Sequence, residues 1–360
     1  MGRLVRDDLV VEVNNEILKY LEPTDNVMLS EISSSDKVYM MMLLKKYYLT
    51  LRDRLGILQH LTFGLEIEFE NAMIDPIKEY VSERFKSGSW DIVPDGSLSN
   101  GSEINSPILN DSTYAWSDLS SICDVVDKNA YVMDNTSGHI HIGTHILGNN
   151  PKYWRNFAIL WATYENVIFR FLYGEYVSPR SGICGYASPV SKDFIEKMEK
   201  IEDRSTMQNA NAMFRVFDTG EEVVKIRRRK SVNFTNISRL QPYIYNWPYE
   251  MNTVEFRSPN GTFNPVIWQN NVNLIMKMML YCKSDKFNDE LVFRRMKQIE
   301  CDNIPSSIGK YSRIYMEQAI ELADMIFDNN LDKIYFLRQY VKDGSVSNNS
   351  LVKSRVFTRK

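Results

Sequence analysis

Apolar and polar residues alternate without a break from Phe63 to Glu70. On a β-strand, Phe63, Leu65, Ile67 and Phe69 take one face, and Gly64, Glu66, Glu68 and Glu70 the other. The same period returns three times. Residues 102–109 set Glu103 and Asn105 against Ile104. Residues 137–145 set His139, His141, Gly143 and His145 against Ile140, Ile142 and Thr144. Residues 252–261 set Thr253, Glu255 and Arg257 against Val254 and Phe256. Residues 90–98 predict a strand and turn carrying Asp95, Asn100-Gly101 predicts a hairpin turn, and residues 231–237 predict a further strand.

Helical spacing fills the intervals. A lead-in helix runs from Leu9 to Leu21, closed by Pro23. A second runs from about Lys37 to Leu55, capped by Ser35 or Asp36 and ended at Gly56. Further helices are expected at 76–85, 113–130, 265–281, 290–299, 311–327 and 331–341. Asn150 and Pro151 open an aromatic-rich helix to Leu172 that stops at Gly174. Ser191 caps a charged helix to Arg204. Residues 175–190 form a Gly/Pro/Ser loop holding Arg180, long enough to be functional.

Together these predict an α+β fold: an antiparallel sheet with helices on its apolar face, its polar face open, and helical additions at both ends. The expected organisation is an N-terminal helical extension (1–60), a catalytic domain (61–285), C-terminal helices packed on it (286–342) and a flexible tail (343–360).

The 360 residues are 44% hydrophobic, enough for a large core. A net charge of -3 argues against a dedicated nucleic-acid binder. No apolar run reaches a membrane span, and the start of the chain turns acidic before any hydrophobic core, so no secretory signal is expected. Cys123, Cys184, Cys282 and Cys301 show no zinc or redox spacing and read as free thiols of a reducing cytoplasm.

The open face is the candidate for chemistry. Glu66 and Glu68 project the same way ~7 Å apart, too far to share a proton but suited to neighbouring metal ions. Taken alone, that strand reads first as an edge strand with a solvated acidic face. The later strands change the balance, because one face would gather Glu66, Glu68, Glu103, His139, His141, Glu255 and Arg257, with Asp95 at a neighbouring turn. Clustered carboxylates need cations among them, and Glu with His suits Mg²⁺ or Mn²⁺ better than zinc. An arginine two residues from a metal-binding glutamate suits a phosphoryl group held between the two. Other residues outside this set have plainer readings. His145 reads as structural or at the sheet edge. Glu70 reads as solvated or paired with Lys or Arg, and the Tyr and Trp of 243–249 as packing. Residues 225–230 (Lys225, Arg227, Arg228, Arg229, Lys230) read either as a phosphate contact or as a solvated edge.

The ordered set Gly64-Leu65-Glu66-Ile67-Glu68-Phe69, Asp95-Gly96-Ser97-Leu98 with Glu103-Ile104-Asn105-Ser106-Pro107, Gly138-His139-Ile140-His141-Ile142-Gly143 and Thr253-Val254-Glu255-Phe256-Arg257 resembles the putative amidoligase family. That family belongs to the carboxylate–amine ligase superfamily with glutamine synthetase and glutamate–cysteine ligase. The resemblance spans about residues 61–285 and implies a glutamine-synthetase-like fold. It implies Glu66, Glu68, Asp95, Glu103, His139 and Glu255 as ligands of two or three Mg²⁺ ions. Asp95 departs from the glutamate of glutamine synthetase, which shortens its reach. The resemblance further implies that Glu255 and Arg257 are catalytic, Arg257 by stabilising the γ-phosphoryl group of ATP. His141, Arg180 and Arg257 would contact ATP phosphates or substrate.

The implied reaction is ATP-dependent amide formation through an acyl phosphate. The acid and amine would be small molecules or peptides, with an amino acid, peptide or cell-wall fragment the expected class. No membrane or nucleic-acid partner is expected, and a homo-oligomer stays open. Two rivals remain: a small-molecule phosphotransferase on the same sheet, and a non-catalytic structural or adaptor protein.

Overall fold

A computed structural model of the chain describes residues 14–19, 21–86, 89–148, 150–176, 179–191, 229–234, 236, 252–298 and 313–342. Seven strands make one sheet: β1 (Thr62–Phe69), β2 (Asp91–Val93), β3 (Ser102–Asn105), β4 (Leu109–Asn110), β5 (Gly138–Gly143), β6 (Val232–Asn233) and β7 (Thr253–Phe256). Their order is β2-β3-β1-β5-β7-β6, with β4 also paired to β1, and every pairing is antiparallel. The alternating stretch around Glu66 is therefore central, with β3 on one side and β5 on the other.

The apolar face is dry. Leu65, Ile67, Ile104, Ile140, Ile142, Val254 and Phe256 are all buried. Three helices cover them: Thr113–Asn129, Pro151–Leu172 and Pro265–Lys283. Phe63 stacks on Trp116 at 5.1 Å between ring centres, and Phe256 sits 5.1 Å from Trp161. Trp268 packs closely on β5, and a Cβ on Gly138 would fall 2.2 Å from its ring. A strand that must carry His139 and His141 on its polar face thus starts with a glycine for the sake of its other face.

Helix ends follow the expected chemistry. Asn150 and Asn264 each cap a helix through Oδ1, with proline at the next position. Gly174 takes a positive φ of 62° just past its helix. The residues of Pro265–Lys283 are buried nearly all round, including Gln269, Asn270, Asn271 and Asn273. Their amides are tied to the C-terminal helices and to the lead-in. Gln269 bonds the amide and carbonyl of Arg52. Asn270 and Asn271 bond Gln339, and Asn273 bonds Asp332.

Several expectations are corrected. The second helix is Ser34–Leu44, capped by Ser33, and does not continue to Leu55. From residue 48 onward several amides take tertiary acceptors in place of helical ones. Tyr48 N donates to Asn14, Thr50 N to the Tyr335 hydroxyl, and Leu55 and Ile57 N to the Asp111 carboxylate. Asn100-Gly101 is a turn, with Asn100 at a φ of 48°, but β2 and β3 are joined by residues 94–101 and not by a two-residue hairpin. Gly101 is required there because a Cβ would lie 2.2 Å from the Phe69 carbonyl. β5 ends at Gly143, so His145 leaves the strand in a 3-10 turn (Thr144–Ile146). Glu70 is not solvated, and among the described residues it pairs with no base. It is buried, and its carboxylate accepts the Ser99 amide at 2.7 Å.

Asp289–Met296 packs on the helix Pro151–Leu172, and Arg313–Ile326 and Asn330–Val341 close over the far side of the buried helix. The lead-in is stitched to them. Asp324 accepts from Leu29 N, Ser30 N and Lys333 Nζ, Asn330 accepts from Val27 N, and Arg338 Nε donates to the Tyr47 carbonyl. No helix among the described residues is long and apolar enough to cross a membrane. Cys123, Cys184 and Cys282 are free thiols. The expectations for residues 1–13, the helix after Ser191, Lys225, Arg227 and Arg228, Tyr243–Tyr249, Cys301 and the 343–360 tail lie outside the described residues.

Candidate active site

Pairing register assembles the polar face. Glu66 lies opposite Asn105 on one side and His139 on the other, Glu68 opposite Glu103, and His141 opposite Glu255. Two donor clusters result, Glu66–His139–Glu255 and Glu68–Glu103–His139, each with one ligand atom per residue within 4.8 Å of the others. His139 belongs to both. Its Nδ1 bonds Glu66 and lies 3.9 Å from Glu255 Oε1, while Nε2 lies 3.7 Å from Glu68 Oε1. Glu66 and Glu68, two apart on β1, thus serve different clusters with one imidazole between them.

Their surroundings shift their protonation. Burial pushes the Glu103 carboxyl up, and the charges of Glu66 and Glu68 add to this, reaching about 8. Burial also acts to raise Glu66, but His139 and His141 outweigh it and hold that carboxyl well below its ordinary value. His141 Nε2 meets Glu66 Oε1 at 2.7 Å, and its Nδ1 meets the Thr253 hydroxyl at 3.2 Å.

The face is not open as expected: Glu68, His139, His141 and Glu255 are each only 4–6% exposed. The segment carrying Arg180 and Tyr186 lies over its β7 end. Arg180 Nη2 donates to the Arg257 carbonyl at 3.0 Å, and Arg257 Nε to the Tyr186 carbonyl at 3.3 Å. Arg257 also pairs with Glu255 through Nη1. Burial lowers the Arg180 guanidinium to about 10; Glu68 opposes the shift and Arg257 adds to it. Arg229 lies over the Tyr186 ring, 5.3 Å from its centre.

Two sequence-predicted residues stand apart. Asp95 belongs to neither cluster. It is near enough to raise Glu103 electrostatically, but its short side chain is engaged in its own turn, where Oδ1 accepts the Ser97 amide at 2.8 Å. His145 meets the His60 carbonyl at 3.0 Å, a structural contact.

Residues 59–279 match the model of a family described as putative amidoligase enzyme. The chain belongs to this amidoligase family. No curated protein matches it. The matched span holds all seven strands and both clusters.

Around the amidoligase site stand supporting residues that pattern reading passed over. Ser137 donates to Glu68 twice, through N at 2.7 Å and through Oγ at 2.5 Å. Asn233 Nδ2 donates to Glu255 Oε2 at 2.6 Å. Glu165, wholly buried on the helix Pro151–Leu172, accepts from Trp161, Val190, Ser191 and Ser231. It thereby anchors the residues at 190–191 and the start of β6. Ser137 and Asn233 sit on predicted strands in phase with the acidic positions. Glu165 left no signal in a helix that also carries Lys152, Arg155 and Arg170.

Proposed function

We propose that the chain is an ATP- and Mg²⁺-dependent carboxylate–amine ligase working through an acyl phosphate on a glutamine-synthetase-like sheet. The observation that carries this reading is the pair of carboxylate clusters sharing His139, set inside an amidoligase match. The donor set fits Mg²⁺ or Mn²⁺, being hard carboxylate oxygens with one imidazole. A carboxyl as basic as Glu103 is what crowded acids give before a cation joins them. Glu66, His139 and Glu255 would hold one ion, and Glu68 and Glu103 a second, with Asp95 at its margin. Bound there, such ions neutralise charge on a phosphoryl group and on its leaving oxygen.

The chain's own side chains do the rest. Ser137 and Asn233 fix the rotamers of Glu68 and Glu255, and His141 orients Glu66; partners of this kind tune metal sites. Arg257, held by Glu255 and the Tyr186 carbonyl, supplies a fixed positive charge for the γ-phosphoryl group in transit. Arg180 offers a second cation to substrate. In the reaction, a substrate carboxylate oxygen attacks the γ-phosphorus and ADP leaves. An amine nitrogen then attacks the acyl carbon, the C–O bond to phosphate breaks, and the amine gives up a proton. The free thiols accord with a reducing cytoplasm as the working compartment.

The test is ATP turnover with Mg²⁺ across a panel of carboxylic acids in the presence of hydroxylamine, which traps an acyl phosphate as a hydroxamate. Hydroxamate that requires ATP, Mg²⁺ and Glu255 is the expected result. A stable phosphorylated product formed without any amine would favour the phosphotransferase. Folded protein that neither binds nor hydrolyses ATP would leave the structural role.

A further inference from the structure

The helix Ser34–Leu44 carries apolar side chains on every side. Residues 38–44 run Val-Tyr-Met-Met-Met-Leu-Leu without a polar break, nearly two turns of helix. A helix that is apolar all round is ordinarily covered all round. This one is covered on one side only. Met40, Met41 and Leu44 are buried, and the helix packs on Asn330–Val341. Val38, Tyr39 and Met42 are 63, 42 and 59% exposed. Met42 stands four residues from Val38 and three from Tyr39, so the three form one stripe. A single exposed apolar residue needs no explanation, but a contiguous stripe rimmed by charge marks a contact surface.

The charges at the two ends of the stripe are opposite. Glu31 and Asp36 are exposed at the start of the helix, and Lys45 and Lys46 are exposed just past its end. Asp36 also belongs to the cap, where it accepts from Ser33 Oγ at 2.6 Å. Glu31, Lys45 and Lys46 pair with no opposite charge among the described residues. A stripe that is acidic at one end and basic at the other is complementary to itself turned end for end. Helix dipoles favour the same antiparallel arrangement.

We propose that this stripe is the contact between two copies of the chain, packed antiparallel about a two-fold axis level with residue 40. Val38 of one copy meets Met42 of the other, the two Tyr39 rings flank the axis, and Glu31 and Asp36 face Lys45 and Lys46. The patch is then the same on both copies, as a closed dimer requires. The helix of 11 residues is about 16 Å long. That makes a small interface, so the dimer dissociates in the micromolar range. The stripe lies outside the span matched to the amidoligase family, and the pairing does not depend on the ligase reading.

The test is sedimentation velocity of the full chain from about 1 to about 200 µM, which brackets that range. The mass should rise from one chain toward two. Met42→Glu or Val38→Glu should raise the dissociation constant about tenfold or more. Both side chains are exposed in the single chain, so these variants should fold, and circular dichroism checks this. Two charge variants then test orientation. Glu31→Lys with Asp36→Lys makes both ends of the stripe basic, and Lys45→Glu with Lys46→Glu makes both ends acidic. Each alone should stay monomeric, and an equal mixture of the two should dimerise as the parent does. A parent that is monomeric throughout overturns the proposal, as does a dimer unmoved by Met42→Glu. Charge variants that self-associate like the parent, or a mixture that stays monomeric, overturn it too. A monomeric parent that sediments with neutral lipid vesicles through Met42, or that pairs only once residues 1–13 are removed, would put a membrane or the start of the chain on the stripe, and either result overturns the dimer. Every readout is a mass and none uses ATP, so the dimer and the ligase reading can fail separately.

Discussion

Replacing Glu175 by Gln should change how stability depends on pH, and the structure sets the size and sign. Glu175 follows the positive-φ turn at Gly174 and is buried against the segment after β7, where it accepts the Thr262 hydroxyl at 3.0 Å. Burial raises its carboxyl to about 7; the Thr262 bond and Lys342 nearby only partly offset this. The unfolded chain has given up this proton by about pH 5, while the folded chain keeps it until about 7. Between those values the native state binds more protons, so stability falls as pH rises, by roughly 3 kcal/mol from this group, and is level above. Gln keeps the acceptor for Thr262 and cannot ionise. The difference in unfolding free energy between Glu175→Gln and the parent should therefore grow toward the variant by roughly 3 kcal/mol from pH 5 to pH 8. Urea denaturation followed by tryptophan fluorescence at half-unit pH steps measures it. Repeating the pair in a Lys342→Met background separates Glu175 from the neighbouring ammonium, whose own ionisation burial disfavours. A difference that is flat with pH, or that grows toward the parent, would refute the burial argument.

Three further outcomes are expected. Gly138→Ala should lower stability by about 1–3 kcal/mol in urea melts, because its methyl enters the Trp268 ring, and should weaken Mn²⁺ binding by displacing His139. Ser137→Ala removes one of the two donors to Glu68 and should cost about 10-fold or more in Mn²⁺ affinity by calorimetry; an unchanged affinity would show that Glu68 needs no such support. Mg²⁺ or Mn²⁺ at a hundred times its dissociation constant should stabilise the chain by about 2.7 kcal/mol, and Glu255→Ala should remove most of that gain in a thermal melt.

How much of this was readable in the sequence depends on how local each signal is. The acidic and histidine strands were legible because side-chain alternation is a property of one strand, and Glu66, Glu103, His139 and Glu255 could be put in phase without knowing the pairing. Helix starts at Asn150-Pro151 and Asn264-Pro265 were legible for the same reason, since a cap and its helix are contiguous. What failed was set by distant partners. The second helix does not run on to Leu55 because the amides of Tyr48, Thr50 and Leu55 find Asn14, Tyr335 and Asp111. Glu70 is buried because Ser99 turns its amide inward. Asp95 is the local exception: it belongs to neither cluster, and its Oδ1 is engaged by the Ser97 amide of its own turn. Enclosure of the polar face depends on Arg180 and Arg257 bonding backbone carbonyls, which leaves no pattern in composition or period.

The seam between the lead-in and the C-terminal helices bears on where this protein can be cut. The family match begins at residue 59 and ends at 279, yet Asn270 and Asn271 bond Gln339, Asn273 bonds Asp332, and Gln269 bonds Arg52. A piece trimmed to the shared span would bare a row of amides on a helix that has no solvent face. Homology here marks what relatives hold in common, and the unit of cooperative folding is larger. Truncation experiments designed on family boundaries would lose activity for reasons that have nothing to do with the chemistry of the site.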